Sequence, residues 1–505
     1  MFDVAIIGCG PVGALAANLL AREHLSVVVL EKATTLHPLP RAVHLDHEMM
    51  RLFQQAGVID RVERDMVATD GHLHVGADGG VIRYMGTVGK PRPFGWGNDY
   101  FFYQPELEAH LRAAFDPRWI TLKVGATFTG LDQAEDRVTV TYSQDGEPAE
   151  VSARWVIGCD GARSAVRKAL GITLDDLDFE EPWLVVDAEV EGPVNFPAID
   201  GLPVDVDLQR LSVMMCDPKR PATIVPGRGN HRRWEFMLLP GEDDQAMMAS
   251  DKVAELVGAW MQDVPHRIVR ASTYRFHGLV AHQWQKDRVF LAGDAAHQTP
   301  PFFGQGMCHG LRDVANLAWK MGAMVHAGAS PGLLDTYQPE RDPHVRAVIG
   351  AAVAAGRYIC ELDPEQAAAR DAEMRERAQS QAGETAHDLI PAIQQGIIAE
   401  RTPGAGERFI QPLLTDGRKL DDAIGAGWRL FVRNAGIAGQ AKDVTRAVAE
   451  DLTDSGALIA WMDERQVDAV LVRPDHYVFG TAQGSASGLL DLRSGLLGAS
   501  ERIAA

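Results

Sequence analysis

Several features are missing from this chain of 505 residues, and each absence closes off a class of function. The five cysteines, Cys9, Cys159, Cys216, Cys308 and Cys360, are scattered with no C-x-x-C pair. That excludes a dithiol redox motif, a zinc site of the ribbon type and a disulfide frame, and it reads as reduced thiols in the cytoplasm. No apolar run approaches the roughly 18 residues needed to span a bilayer. The start, Met1-Phe2-Asp3-Val4, lacks the basic n-region of a secretory signal. Positive charge is in short supply: 49 Lys and Arg stand against 69 Asp and Glu, a formal net charge of −20. A field of that sign repels phosphate backbones and anionic lipid, so neither a nucleic-acid nor a membrane partner is expected. A local basic pocket for one small anionic ligand stays open. Internal repeats are absent too. The hydrophobic share, 46%, is far too high for a disordered chain. At about 150 residues per domain the length allows about three units.

What is present starts at once. Val4-Ala5-Ile6-Ile7 is the short, β-branched apolar run of a buried parallel strand. Gly8-Cys9-Gly10-Pro11-Val12-Gly13 follows, then the helix formers Ala14 to Leu20, then a second buried strand, Val27-Val28-Val29-Leu30, ending in Glu31. Strand, glycine turn, helix, strand and acid make the βαβ unit of a dinucleotide-binding domain. Gly8 serves the backbone angles of the turn, Gly10 lets a pyrophosphate approach the main chain, and Gly13 lets the helix pack on the strand. The helix N-terminus faces the phosphates, and Glu31 is placed to accept hydrogen bonds from a ribose. A chance glycine turn is the plain alternative, and the fingerprint alone does not separate NAD from FAD.

Residues 71–98 are glycine-rich with weak helical periodicity, and Gln104 to Ala114 reads as a helix. From about Glu180 to Tyr274, strand-like stretches such as Leu184-Val185-Val186 and Trp234-Glu235-Phe236-Met237-Leu238 predict a mostly antiparallel sheet able to wall a pocket. Arg288 to Ala292 is a strand and Arg312 to Met324 a helix. Glu365 to Glu384, rich in Ala, Glu, Gln and Arg, predicts a solvated helix or linker. A smaller unit starts near Thr402, with Ala469-Val470-Leu471-Val472 as a strand.

Two further motifs decide between cofactors. Cys159-Asp160-Gly161-Ala162-Arg163-Ser164 follows the strand Trp155-Val156-Ile157-Gly158. Leu291-Ala292-Gly293-Asp294-Ala295-Ala296-His297 follows another strand, with Pro300-Pro301 and Gly304-Gln305-Gly306 before a helix. With these motifs the chain resembles the single-component FAD-dependent aromatic hydroxylases, the group A flavin monooxygenases, and most of all the 3-(3-hydroxyphenyl)propionate hydroxylases. Pro40-Arg41-Ala42, Gln104-Pro105-x-Leu107-Glu108, Cys216-Asp217-Pro218-x-Arg220-Pro221, Arg233-Trp234-Glu235-Phe236-Met237, Asn316-Leu317-Ala318-Trp319-Lys320 and Leu334-Asp335-Thr336-Tyr337-Gln338 extend the likeness over most of the chain.

The resemblance implies an α/β fold: a Rossmann-like FAD domain (1–70, 99–180 and 275–360) interleaved with a β-sheet substrate domain (71–98 and 181–274). A helical linker (361–401) and a thioredoxin-like C-terminal domain lacking C-x-x-C (402–505) complete it. That last domain is left a packing or oligomer-forming role, a homodimer being the form considered. Gly8, Gly10, Pro11, Val12 and Gly13 would hold the pyrophosphate, Glu31 and Lys32 the adenosine ribose, and Arg41 and Gln104 the phosphate and ribityl region. Asp160 and Gly161 would organise the flavin indirectly. Gly293 and Asp294 would meet the ribityl chain, and Pro301, Gly304, Gln305, Gly306 and Met307 the flavin ring, where a helix N-terminus stabilises the reduced anion. Asp160 and Asp294 as plain caps or turn residues are the bland alternative.

The implied reaction is hydroxylation of a phenol ortho or para to its hydroxyl, with NADH or NADPH and O₂, through a flavin C4a-hydroperoxide kept from water. Phe302 and Phe303 are candidates for that dry wall, ordinary core packing being the other reading. Arg220, Arg228 and Arg232 are candidate anchors for a substrate carboxylate. Related phenol hydroxylases carry an acid near the Arg41 segment where this chain has Val43, which leaves nearby Asp46 as the candidate base. His44-Leu45-Asp46-His47-Glu48 holds ligand-type residues, but no metal is expected, only a helix start beside the cofactor. A flavin halogenase, which would need a Trp-x-Trp pair absent here, an oxidase and a non-catalytic flavin redox sensor are the alternatives.

Overall fold

The computed structural model describes residues 1–380, 390–452 and 456–498. Its first sheet is eight-stranded. Strand Phe2–Ile7 lies parallel between Val27–Glu31 and Glu147–Gly158, with Val4 opposite both Val27 and Trp155. Ile120–Val124 extends it in parallel on one side and Val289–Leu291 on the other. Val4, Ala5, Ile6 and Val27 to Val29 are fully buried because helices cover the sheet, hence the unbroken apolar runs. Helix Pro11–Arg22 starts with a proline at its first position, and Asn18 ties it by a 2.9 Å bond from Nδ2 to the Leu111 carbonyl of helix Gln104–Ala113.

The second sheet, also eight-stranded, runs His297–Gln298, His266–Ala281, Leu174–Val190, His231–Met237, Ala222–Pro226, Leu211–Met215, Gly71–Val75, Val81–Gly86. It is antiparallel except for the parallel pair Leu211–Met215 and Gly71–Val75. Its faces differ by the two-residue alternation of a strand. Leu184, Val186, Ile224, Trp234 and Phe236 point to one side and form a core with Val253, Val257 and Met261 of helix Ser250–Met261. His72, Ser212, Met214, Thr223, Val225, Arg233 and Glu235 point to the other, where the cavity lies.

A four-stranded sheet follows, with Trp428–Val432 parallel to Val444–Val448 and antiparallel to Ala469–Val472, which pairs with Val478–Ala482. One of its faces packs on Trp319 of helix Gly306–His326. The last residues of the expected unit, 499–505, lie outside the described residues.

One expectation is corrected. Helix Pro364–Ser380 exists, yet it is not solvated all round. Ala367, Arg370 and Asp371 are buried; Arg370 donates to the Cys216 carbonyl at 2.9 Å, and Asp371 accepts the Ala77 amide at 2.7 Å. A charged face can dock where backbone groups need partners, which composition does not reveal. Residues 381–384 of that stretch lie outside the described residues. Among the described residues no helix is long and apolar enough to cross a membrane.

Candidate active site

One cavity of about 840 Å³ runs from the glycine turn after the first strand to the polar face of the second sheet. At its first end the turn demands glycine. Gly8 has φ +98°, and a Cβ there would sit 2.5 Å from the Cys159 carbonyl oxygen; a Cβ on Gly13 would meet the Gly8 oxygen at 2.0 Å. Gly10, Pro11 and Val12 line the cavity, whereas Gly13 is packed behind them. Helix Pro11–Arg22 opens there with no side-chain cap, so its N-terminal dipole faces the cavity. Glu31 accepts the Cys9 amide at 2.7 Å and the Ala33 amide at 2.8 Å, which orients its carboxylate at the rim beside Lys32. Gln104 accepts the Arg41 and Ala42 amides at 3.0 and 2.7 Å and donates to Glu108 at 2.7 Å, pinning the segment that carries Arg41 over the cavity. Arg112, which sequence reasoning missed, also lines this end.

Asp160 accepts the Ala165 amide at 2.6 Å and the Val166 amide at 3.1 Å, holding the start of helix Ala165–Ala169, with Gly161 (φ +81°) beside it. Asp294 follows Gly293 (φ +61°), opens onto the cavity and receives no hydrogen bond among the described residues. The protein around it raises its carboxyl above the ordinary value, an effect that the charges of His297 and Arg41 partly offset. Pro301, Phe302, Gly304, Gly306 and Met307 line the opposite wall, but Gln305 does not: its Oε1 accepts Arg312 at 3.0 Å. Phe302 meets Phe179, Trp183 and Phe276 edge-on at 5.8, 6.0 and 6.2 Å, while Phe303 is buried outside the lining. These residues fit FAD: a glycine cradle that a Cβ would fill, an acid at the second strand's end, and a cavity-facing carboxylate awaiting a donor.

Asp46 is not in the cavity wall. It is fully buried, caps helix His47–Ala56 through the Glu48 amide at 2.9 Å, and pairs with Arg312 at 2.5 Å. A carboxylate held by a guanidinium and a cap has no access to a substrate, so Asp46 is withdrawn as the base. Arg220 pairs with Glu242 at 2.5 Å, Arg228 with Glu106 at 2.6 Å, and Arg232 donates to the His231 carbonyl at 2.8 Å; none lines the cavity. They are withdrawn as anchors.

The structure adds other residues. His44 lines the cavity, its Nε2 3.0 Å from the Asp99 carboxylate and its Nδ1, close against Gly304, without a hydrogen bond among the described residues. His72 stands edge-on to it at 5.1 Å. Single ligand atoms of His44, His72 and Asp99 lie within 4.8 Å of one another, close enough for a cation, though one carboxylate oxygen already serves His44. On the sheet face, Arg233 donates to Asp187 at 2.8 Å. Burial alone would raise the Asp187 carboxyl, but its bond to His231 and the guanidinium groups of Arg233 and Arg270 hold it well below the ordinary range. Burial raises the Glu235 carboxyl, Arg233 partly opposing. The sequence held three signals for these residues: the ligand-type run His44 to Glu48, the Arg233-Trp234-Glu235-Phe236-Met237 match, and the alternation around Trp234 and Phe236.

A family model described as an FAD binding domain matches residues 1–352. A probable NADH-specific resorcinol 4-hydroxylase of Rhodococcus jostii (strain RHA1) is 35% identical, over 96% of this chain and 92% of its own. A 3-(3-hydroxy-phenyl)propionate/3-hydroxycinnamic acid hydroxylase of Burkholderia vietnamiensis (strain G4 / LMG 22486) is 33% identical, over 96% and 94%. Among solved structures, aklavinone-11 hydroxylase in complex with FAD and aklavinone matches with a TM-score of 0.78 at 23% identity, covering 98% of this chain and 99% of that one. The flavin-dependent monooxygenase PieE, with FAD and substrate, matches at 0.80 and 22%, covering 99% of each.

Proposed function

The chain belongs to the FAD-binding-domain family, with FAD as its cofactor, and from that premise we propose that it is a monooxygenase acting on phenols. It hydroxylates the ring ortho or para to the hydroxyl: one oxygen atom of O₂ is inserted into a ring C–H bond to give the new hydroxyl, and the other leaves as water. NADH or NADPH supplies the two electrons. The relative named NADH-specific makes NADH the first to test. The observation that carries the reading is the continuity of one cavity from Gly10 and Glu31, past Asp294, to the polar sheet face.

Bound FAD supplies hydride acceptance and O₂ activation. The protein's part is to bind, orient and exclude. The helix after Gly10 would face the pyrophosphate, Glu31 would accept from the ribose, and Asp294 would accept from the ribityl hydroxyls. The amides around Gly306 and Met307 would meet the ring's polar edge. Phe302, backed by Phe179, Trp183 and Phe276, keeps water from the reacting carbon. His44 takes the role first given to Asp46: Asp99 fixes its tautomer through Nε2, and the ring holds the phenolic proton.

Segments 1–70, 99–180 and 275–360 are read as the FAD domain, and 71–98 with 181–274 as the substrate domain. The C-terminal sheet, with no cysteine after Cys360, is read as a thioredoxin-like unit with a packing role. A cytoplasmic homodimer completes the proposal, sedimentation being the check on its subunit count.

The test is direct. Purified protein loaded with FAD, NADH or NADPH and O₂ is mixed with a panel of phenols. Phenol-stimulated oxidation with a catechol or hydroquinone product is expected. No stimulation across the panel with FAD bound overturns the proposal and points to a flavin-binding sensor.

A further inference from the structure

The aromatic wall of the cavity is held from behind. Phe302 lines the cavity, while Phe179, Trp183 and Phe276, the rings that meet it edge-on, do not. Trp183 and Phe276 are themselves stacked, with 5.7 Å between ring centres and 23° between planes. All three backing rings come from the antiparallel pair Leu174–Val190 and His266–Ala281. In an interior packed as closely as a crystal, rings caged in this way have no spare room to turn.

Helix Tyr337–Ile359 packs against the same rings, and its residue at the contact is Gly356, which is buried and does not line the cavity. Glycine is among the poorest residues for a helix interior, so its place there calls for a reason in packing. A Cβ at Gly356 would sit 2.4 Å from Phe179 Cζ and 2.6 Å from Phe302 Cε2, closer than any real contact. One methyl group would therefore strike both rings at once. Phe179 cannot yield without pressing on Phe302, and Phe302 is backed by Trp183 and Phe276, so the direction left to it is the cavity. Gly278, on the strand facing the helix, repeats the close approach: a Cβ there would lie 3.1 Å from Val353 Cγ2. Gly350 of the same helix is the contrast, exposed and with nothing within 4 Å of a Cβ.

We infer that Gly356 is a positioning residue for the hydroxylation: carrying no side chain, it lets Phe302 sit back from the cavity, and so sets the width of the ring pocket and its closure against water. The inference rests on the hydroxylase reading and deepens it. A wall pushed forward by one methyl group costs a ligand that fills the pocket more than one that does not, and it misplaces the ring that shields the reacting carbon.

The test uses the FAD-loaded full chain and two ligands of unequal width, phenol and 2-naphthol, with binding measured by calorimetry without reductant. Gly356→Ala is expected to raise the ratio of the 2-naphthol Kd to the phenol Kd at least about tenfold, the scale of one methylene in an apolar pocket. In turnover it is expected to release more H₂O₂ per NAD(P)H oxidised. Gly350→Ala is expected to leave both readings at their wild-type values. Phe179→Leu added to Gly356→Ala returns space behind Phe302 and is expected to restore the ratio. An unchanged ratio or H₂O₂ yield in Gly356→Ala, or a raised ratio that Phe179→Leu does not restore, overturns the inference. If Gly356→Ala does not retain FAD, or wild type binds no 2-naphthol, Phe179→Leu alone decides: Phe302 recedes and 2-naphthol is expected to gain on phenol, and no gain overturns the inference. Any of these failures with phenol-stimulated oxidation intact sinks only this inference. No phenol binding or stimulating NAD(P)H oxidation in wild type sinks the hydroxylase reading and this inference together.

Discussion

Asp294 and Asp46 are the same side chain in opposite surroundings. Asp294 faces open cavity with no donor among the described residues; Asp46 is shut in with Arg312 and a helix amide. Asp294→Ala is therefore expected to weaken FAD binding by about 1.5–3 kcal/mol, the loss of a hydrogen bond to a charged acceptor. Equilibrium titration of the apoprotein with FAD reads it, and unchanged affinity would remove Asp294 from the site. Asp46→Asn leaves Arg312 with one buried carboxylate fewer and is expected to cost about 3–5 kcal/mol of stability. Thermal unfolding reads that loss; a variant that melts normally yet loses turnover would restore Asp46 as the base. Both acids were visible in the sequence as neighbours of flavin motifs. Only Asp294 sits in a motif whose turn fixes its direction. Asp46 ends a strand and caps a helix, and that capping role turned it inward.

At the scale of elements, legibility follows sequence distance. The first strand, glycine turn, helix and Glu31 all fall within residues 2–31, and local chemistry dictates each. The cavity face of the second sheet was not legible, because His72, Ser212, Thr223 and Glu235 come from four strands joined only by tertiary pairing. Alternation says that two faces differ, not which one meets a cofactor. The turn ending at Gly304 joins the two kinds of information. Its φ is +63°, and a Cβ there would lie 2.4 Å from His44 Nδ1. Gly304→Ala thus combines left-handed strain of about 1–2 kcal/mol with a clash against a ring fixed by Asp99. Gly171→Ala, at φ +71° with nothing within 4 Å, carries the strain alone. The expected result is lost FAD occupancy and phenol response in the first variant and near-normal values in the second. Equal behaviour would mean that the contact with His44 is immaterial.

At the scale of the molecule, buried ion pairs fasten the C-terminal sheet to the rest. Glu340 meets Lys320 at 3.0 Å and Arg473 at 2.7 Å; Asp421 meets Arg51 at 2.6 Å; Tyr477 donates to Glu48 at 2.8 Å, which also pairs with Arg312 at 2.7 Å. Burial alone would raise Glu340, but Arg473 and Lys320 bring it from 4.5 down to about 2. A depressed carboxyl stabilises the fold above its unfolded value, and that contribution is lost as pH falls from about 4.5 to about 2. Wild type should therefore melt well above Glu340→Gln near neutrality, and the gap should close across that acid window. A gap that stays constant to the acid end of the window would contradict the assignment. None of this wiring was readable from composition, since each partner is an ordinary charged residue until the fold brings it to its mate.

The bond between Arg51 and Asp421 also ties two distant stretches of chain into one unit. Its partners stand 370 residues apart, so removing the segment that carries Asp421 would leave Arg51 interred without a counterion. Damage to the last sheet is therefore felt in the helix His47–Ala56 that borders the glycine-cradled half of the molecule.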